Sequence, residues 1–566
     1  MATKGIRTRK NATSVAVIGA GVSGLCAAKY LLAERSKSHP DEEYFQVTIF
    51  ERAPAPGGIW YQTAADDEFA TPMYPACSTN VPRTMMQYEG VEYPKDTALF
   101  PENTVVQEYL QSYARELHDR GIIRYGEEVT LVRHRQKDYN KKWQVECRKV
   151  FGRRAKHRKT TDKSEYMPTE TTWWDAVVVA LGTFAQPDIP PLYKIPTNHF
   201  MRVMHSKFYR GIEEFRNKRV LIVGRGPSYW DTAREISRVS HGEVLVSTRT
   251  DDRLVLSSTN QRQVSEVASV SKDRKLVTFK SAEYPSAEID IILLCTGYTY
   301  DFSLIPCIRL SEDKKRVVNL YEHMIFLEED EVLPHFPSAA AAASQQLRPS
   351  TKASASFRGA NTLALVGLLK MDATFLVAEA QSALIARHLS GRWTLSVPAM
   401  KKARAQAHRE RKPDPGDSRG YHNLSYPRDA DYVDQLFGEC LRAESPADAG
   451  TGLAPPFHSA YLHWVRGQIG AIRTAFNETA RDNRDGRYST PESLGFSYQP
   501  DPDRERKSSI MERLRTLIEE KSVLWKAGKG LREWQKRWDS ASREWQEWVA
   551  ARELASLDAR LNSIAL

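Results

Sequence analysis

Ser14–Gly24 reads SVAVIGAGVSG, and this stretch decides the fold. The apolar run up to Gly19 has the character of a buried parallel strand. Gly19 permits a tight turn, Gly21 lets the backbone approach a pyrophosphate, and Gly24 lets a helix pack on the strand. Val22 and Ser23 complete the turn, whose helix N-terminus faces negative charge. A helical pattern follows from Leu25 to Glu34, then a strand over Gln46–Glu51 (QVTIFE), which makes a βαβ unit. Glu51 ends that strand, where a carboxylate accepts hydrogen bonds from a ribose hydroxyl. The polar insertion from Arg35 to Tyr44 places it later than the usual offset of about 20 residues.

The same grammar recurs in Arg219–Tyr229, RVLIVGRGPSY, followed by a helix to about Val239 and a strand over Glu243–Ser247. Two copies imply two dinucleotide-binding domains. Two further strands, Ala176–Gly182 and Ile289–Gly297, end where the chain passes between them. The expected fold class is therefore α/β, with two Rossmann-like dinucleotide-binding domains and a mainly helical C-terminal extension. The first domain is expected to be discontinuous, residues 14–198 and 301–400. The second interrupts it at 199–300, and the extension covers 401–566.

The two copies differ in chemistry. After Glu51 comes Gly57-Gly58-Ile59-Trp60, a second glycine pair more typical of FAD than of NAD. In the second copy Gly224, Gly226 and Ser228 form the turn, and Tyr229 replaces the third glycine, which predicts looser or shifted helix packing. Its following strand ends Ser247-Thr248-Arg249 with no acid. A guanidinium there suits a 2′-phosphate, hence NADPH over NADH, against which stand Asp251 and Asp252.

With 566 residues the chain has room for about three or four domains of roughly 150 residues. Its 41% hydrophobic content excludes a disordered or collagen-like chain. A net charge of +10 allows an anionic cofactor without demanding nucleic acid. The six cysteines are scattered with no CxxC, which speaks against a dithiol redox centre or a Cys-rich zinc site and for a reducing compartment. No metal-binding spacing is present among the histidines. The basic N-terminus lacks an apolar h-region and no stretch reads as transmembrane, so a cytoplasmic location is expected. Residues 148–159 hold seven Lys or Arg and read as a solvated hairpin loop; 338–356 read as a low-complexity loop. Residues 508–566 read as long helix, with Trp534, Trp538, Trp545 and Trp548 on one face. That face suits packing on the body or on a second subunit; the sharper alternative is an interfacial membrane helix.

At this point the chain resembles the class B flavin-containing monooxygenases, of a fungal type with a long C-terminal extension. Thr79-Asn80-Val81-Pro82-Arg83-Thr84-Met85-Met86 looks like the family's TNxPxxxM segment, and Phe100-Pro101 and Tyr109-Leu110 follow as in the family. Asn198–Tyr209 sits where the family's identification motif lies, with His205, Ser206 and Tyr209 matching and His199 and Met201 departing. Cys295-Thr296-Gly297-Tyr298 looks like its ATGY segment, and Gly367 with Glu379-Ala380-Gln381 resembles the closing FAD contact. The likeness covers roughly residues 14–400. Its departures fall on the NADPH side.

The resemblance implies FAD and NADPH as cofactors. Gly19, Gly21, Val22, Ser23, Gly24, Glu51, Gly58, Ile59, Trp60, Thr79, Asn80, Gly367 and Gln381 would meet FAD. His205, Gly224, Gly226, Ser228, Arg249, Thr296 and Gly297 would meet NADPH or the domain junction. It further implies a monooxygenase that delivers one atom of dioxygen to a small molecule through a hydroperoxyflavin, with Asn80 as catalytic helper. Tyr209 stands where the Baeyer–Villiger version of the motif has Trp, which favours N- or S-oxygenation of a soft nucleophile, with secondary metabolism as the setting. Baeyer–Villiger oxygenation of a ketone, or an NADPH oxidase or binding protein that has lost oxygenation, are the alternatives. The long tail leaves open a homo-oligomer through its helices. His422 has no readable role.

Overall fold

A computed structural model describes the chain except for residues 1–6, 37, 76, 138–139, 151–167, 195–200, 250–255, 257–258, 272–273, 329–361, 371–373, 412–417, 445–449, 480–487 and 565–566. His199, Asp251, Asp252 and the 338–356 segment therefore lie outside the described residues. So does most of the basic run; its first residues, Arg148 and Lys149, belong to a strand, and Arg148 pairs with Glu128.

The first copy builds a seven-stranded sheet. Arg7–Ile18 is flanked by Glu42–Glu51 and Ala176–Val179, all parallel, with Ile123–Tyr125 beyond the former and Leu363–Leu365 beyond the latter. Two short antiparallel strands, Ile325–Phe326 and Leu320–Tyr321, close that edge. Val15 faces both Val47 and Ala176, so the strand is covered on each side and Val15–Val17 are fully buried. Burying such a side chain stabilises the fold by about 1.5–3 kcal/mol. Helix α1 (Val22–Ala33) leaves the glycine turn, and α2 (Asn103–Asp119) runs from the Phe100-Pro101 region into the sheet's edge strand.

The second copy builds a separate parallel sheet of five strands, in the order Gln261–Val264, Val244–Ser247, Val220–Val223, Ile291–Leu294, Arg202–His205. Helix α3 (Pro227–Ile236) leaves its glycine turn. The chain then returns to the first sheet before α4 (Thr374–Leu389) packs along α1. An antiparallel sheet, Glu127–Lys137, Asn140–Lys149 and Glu170–Trp174, was signalled in the sequence only by the expected hairpin loop at 148–159. Its Glu127, Cys147 and Glu170 could group around a metal ion, but Arg124 already lies 2.8 Å from Glu127 and pairs with Glu170.

The rest is helical: α5 (Val397–Arg411), α6 (Arg428–Glu444), α7 (Ala460–Thr479), α8 (Pro502–Ala527) and α9 (Leu531–Ile564). The expected single long helix is thus two, because Gly528 takes a left-handed conformation (φ +66°) that ends α8 and reverses the chain. Trp534 and Trp538 are buried against Phe437, Leu441 and the apolar face of α8. Trp545 and Trp548 pack on the same cluster half-buried, so the face follows the packing reading and not the membrane-surface one. Among the described residues no helix is long and apolar enough to cross a membrane.

The extension shares the first domain's core. Val433, Leu436, Val465 and Ile472 cluster with Leu25, Leu31 and Leu384. A buried ion cluster stitches it further: Arg392 bridges Glu34 and Glu444 at 2.8 Å each, and Arg387 and Lys521 also reach Glu444. Burial pushes the Glu444 carboxyl up, but these three cations outweigh it and hold it at about 2. Removing one member of such a cluster costs about 3–5 kcal/mol.

Candidate active site

In the first turn Gly19 has φ +103°, and a Cβ on Gly24 would stand 1.8 Å from Gly19 O, so neither position admits a side chain. Gly21 and Gly58 meet backbone to backbone: a Cβ on Gly58 would lie 2.9 Å from Gly21 Cα. The Gly57 amide donates to Ala20 O, and the short helical turn Gly58–Trp60, which contains Ile59, closes beside α1. Gly367 (φ +74°) comes up against Ser23, and its amide donates to Gln381 Oε1 at 2.9 Å. Gln381 is fully buried and also donates to the Tyr432 hydroxyl, so it props the Gly367 turn from beneath. No side chain caps α1, whose N-cap is Gly21. Its first-turn amides, including those of Val22 and Ser23, form an anion-attracting end.

Glu51 is buried. Its Oε2 accepts from the Ala20 amide at 2.6 Å and its Oε1 from the Ala53 amide at 2.8 Å. Burial pushes its carboxyl upward against those two amides. Each oxygen retains acceptor capacity for a hydroxyl. Two buried acceptors on α2 have no donor among the described residues: Asn103 Oδ1 and Gln107 Oε1. Gln107 lies against Gly57, and Asn103 against Gln62. This set of glycine contacts, uncapped helix end, acceptor carboxylate and orphaned acceptors fits FAD. Asn103 and Gln107 were missed by sequence reading, since single amides on an amphipathic helix carry no signal.

In the second turn Gly224 (φ +94°) presses on the chain at Cys295, whose carbonyl a Cβ would approach to 2.6 Å. Gly226 is the N-cap of α3, uncapped by any side chain, with Pro227 and Ser228 in the first turn. Tyr229 is not a loose fit. It is fully buried, and its hydroxyl donates to Gln261 Oε1 at 2.8 Å. Thr296 donates its hydroxyl to Asp188 O. His205 Nδ1 accepts from the Lys207 amide, so its Nε2 carries the proton and donates to Gly297 O at 2.9 Å. Burial pulls His205 down to about 4, which keeps it neutral. Arg249 is exposed at the end of its strand, and Arg225 extends over Trp230 at the same mouth. These features fit a phosphorylated dinucleotide such as NADPH. Tyr209 is fully buried with its hydroxyl on Glu235, so it belongs to the core of this second sheet.

The Thr79–Met86 segment is strung between the two cradles. Thr79 donates its amide to Pro101 O and its hydroxyl to Val81 O. Farther on, the Tyr88 hydroxyl donates to Val22 O in the first turn of α1. On the other side Arg473 of α7 donates to Thr79 O at 2.7 Å and to Ser78 Oγ at 2.9 Å, and lies 3.7 Å from Asp231 of α3. Asn80 is exposed, and among the described residues its amide makes no hydrogen bond. Burial pushes the nearby Cys77 thiol up to about 12, so it is no thiolate nucleophile.

Residues 12–264 match the flavin-binding monooxygenase-like family. The chain is 30% identical over 335 residues to flavin-containing monooxygenase FMO GS-OX-like 4 of Arabidopsis thaliana, covering 54% of this chain and 67% of that one. It is 28% identical over 337 residues to the thiol-specific monooxygenase of Saccharomyces cerevisiae, covering 56% of this chain and 70% of the relative. Its fold is similar to that of S-allyl-L-cysteine S-oxygenase from Allium sativum, with TM-score 0.62 and 23% identity over 85% of this chain and 98% of that one. The chain belongs to the flavin-containing monooxygenases, a family of enzymes that work with FAD and NADPH.

Proposed function

We propose that this enzyme transfers one atom of dioxygen to a soft nucleophile, sulfur first and nitrogen second, on a small molecule. The observation that carries this reading is Asn80: an exposed, unengaged amide on the segment between the two cradles. A neutral amide donates and accepts without titrating, which suits delivery to a substrate that brings its own lone pair. Two relatives whose names specify sulfur chemistry, the thiol-specific monooxygenase and the S-allyl-L-cysteine S-oxygenase, support sulfur over nitrogen.

FAD reduced by NADPH supplies the activated oxygen. The chain's own residues do the rest. The uncapped α1 end and Gly21, Gly58 and Gly367 would receive the pyrophosphate, and Glu51 would take the ribose hydroxyls. Gly224, Gly226 and Ser228 would receive the second pyrophosphate, and Arg249 would pair with the 2′-phosphate. Neutral His205 holds Gly297 and the domain junction in place. Asn80 would orient the reacting oxygen with its amide.

Flavin-loaded protein with NADPH and oxygen should oxygenate thiols or thioethers faster than amines, and leave ketones unchanged. Asn80→Ala and Asn80→Asp should keep flavin content and NADPH oxidation, while product formation falls about 100-fold and peroxide takes its place. Product from ketones alone would point to Baeyer–Villiger chemistry; peroxide with every substrate would point to an oxidase. Full coupling in either Asn80 variant would remove this role.

A further inference from the structure

We propose that Arg473, beyond residues 12–264 that match the family model, is a positioning residue that holds the Asn80 segment and ties it to the coenzyme-side helix α3. This rests on the reading of Asn80 given above. Arg473 sits two turns from the end of α7, with its side chain almost buried. Its two terminal nitrogens divide between the carbonyl of Thr79 and the hydroxyl of Ser78, the two residues directly before Asn80. The same guanidinium lies 4.7 Å over the ring of Phe100 and 3.7 Å from the Asp231 carboxylate.

The neighbouring contacts point the same way. Phe476, further along α7, meets Phe100 at 5.0 Å. Leu99 donates its amide to Tyr488 O, and Arg83 reaches Ser489 O. The extension therefore lies along the back of the loop, and a single planar cation joins three parts of the chain: the Asn80 segment, the Phe100 region and α3. Only arginine presents several donors in a fixed planar fork; the ammonium of lysine carries three donors on one atom and would not span the same separated partners. Since Asp231 lies on the helix that opens the NADPH cradle, a shift of that helix is transmitted to the backbone on which Asn80 stands.

An arginine that merely glues the extension down would look similar in a thermal melt, so the test needs other readouts. The flavin-loaded full-length enzyme would be compared as wild type, Arg473→Ala, Arg473→Lys, Ser78→Ala and Asn80→Ala. Amide hydrogen exchange over residues 77–86 and product formed per NADPH oxidised would be followed together. Arg473→Ala should raise exchange in that segment about tenfold and lower coupling about tenfold at unchanged flavin content. Arg473→Lys should recover part of both, and Ser78→Ala should show the same pattern at about threefold. Should Arg473→Ala not fold, the lysine and Ser78 variants carry the test alone. Wild-type exchange over 77–86 overturns the inference. So does raised exchange with intact coupling while Asn80→Ala is uncoupled. If Asn80→Ala itself stays coupled, the reading of Asn80 fails, and the catalytic part of this inference with it.

Discussion

The two glycine turns solve one problem in different ways. In the first, Gly24 is pressed so closely on Gly19 that no side chain fits. In the second, the equivalent Tyr229 fills the domain's core and donates to Gln261. Losing the third glycine has not loosened the second helix. It has exchanged backbone contact for a buried aromatic ring with one satisfied hydrogen bond. A missing motif residue therefore says little about binding until its replacement is placed.

The comparison breaks first at these positions. Gly24→Val should abolish flavin retention and soluble folding, whereas Tyr229→Gly should keep flavin but cost about 3–5 kcal/mol of stability. Chemical denaturation and flavin absorbance would show this; a Tyr229→Gly enzyme of wild-type stability with tighter NADP⁺ binding would mean the glycine was the better solution. A second contrast is in pH. His205, beside the second turn, titrates near 4 instead of 6.5 because it is buried. The unfolded chain takes up that proton at higher pH, so stability is lost as pH falls from about 6.5 to 4, by up to about 3 kcal/mol. Glu51, at the first turn, is pushed upward by burial and has the opposite sign: the folded state holds its proton better, and acid relieves it. Hydrogen exchange, corrected for intrinsic rate, should therefore rise over residues 202–209 before 46–51 as pH drops, and His205→Gln should flatten the trend. The smallest effect is at the coenzyme mouth. Arg249→Ala should raise KM for NADPH about tenfold and leave NADH unaffected; an equal change for both coenzymes would remove Arg249 from the 2′-phosphate.

Both cradles were legible because their physics is local: a strand, a turn and a helix within about thirty residues. The Thr79–Met86 and Cys295–Tyr298 segments were legible only through family likeness, and the contacts that explain them, Thr79 on Pro101 and Gly224 against Cys295, cross long stretches of chain. The break at Gly528 is written in the sequence as Gly528-Lys529-Gly530, but the helical spacing on either side masks it. Arg473 was not legible. Nothing in α7 distinguishes it from a surface arginine, and its partners lie in the first third of the sequence. Tyr209 was legible as a motif position but not in its place, since its side chain fills the core of the second sheet.

The Glu34–Arg392–Glu444–Lys521 cluster also imposes a schedule on synthesis. A ribosome adds about 5–20 residues per second, so the last member of the cluster, Lys521, leaves the exit tunnel on the order of ten seconds after Arg392. Until Glu444 and α8 follow, the nascent chain carries a nearly complete flavin domain whose Arg387 lacks its acid and whose α1 and α4 keep part of their apolar face uncovered. Chaperone occupancy on the growing chain should persist until α8 emerges, and a stop codon placed after residue 400 yields a client for proteolysis instead of a smaller enzyme.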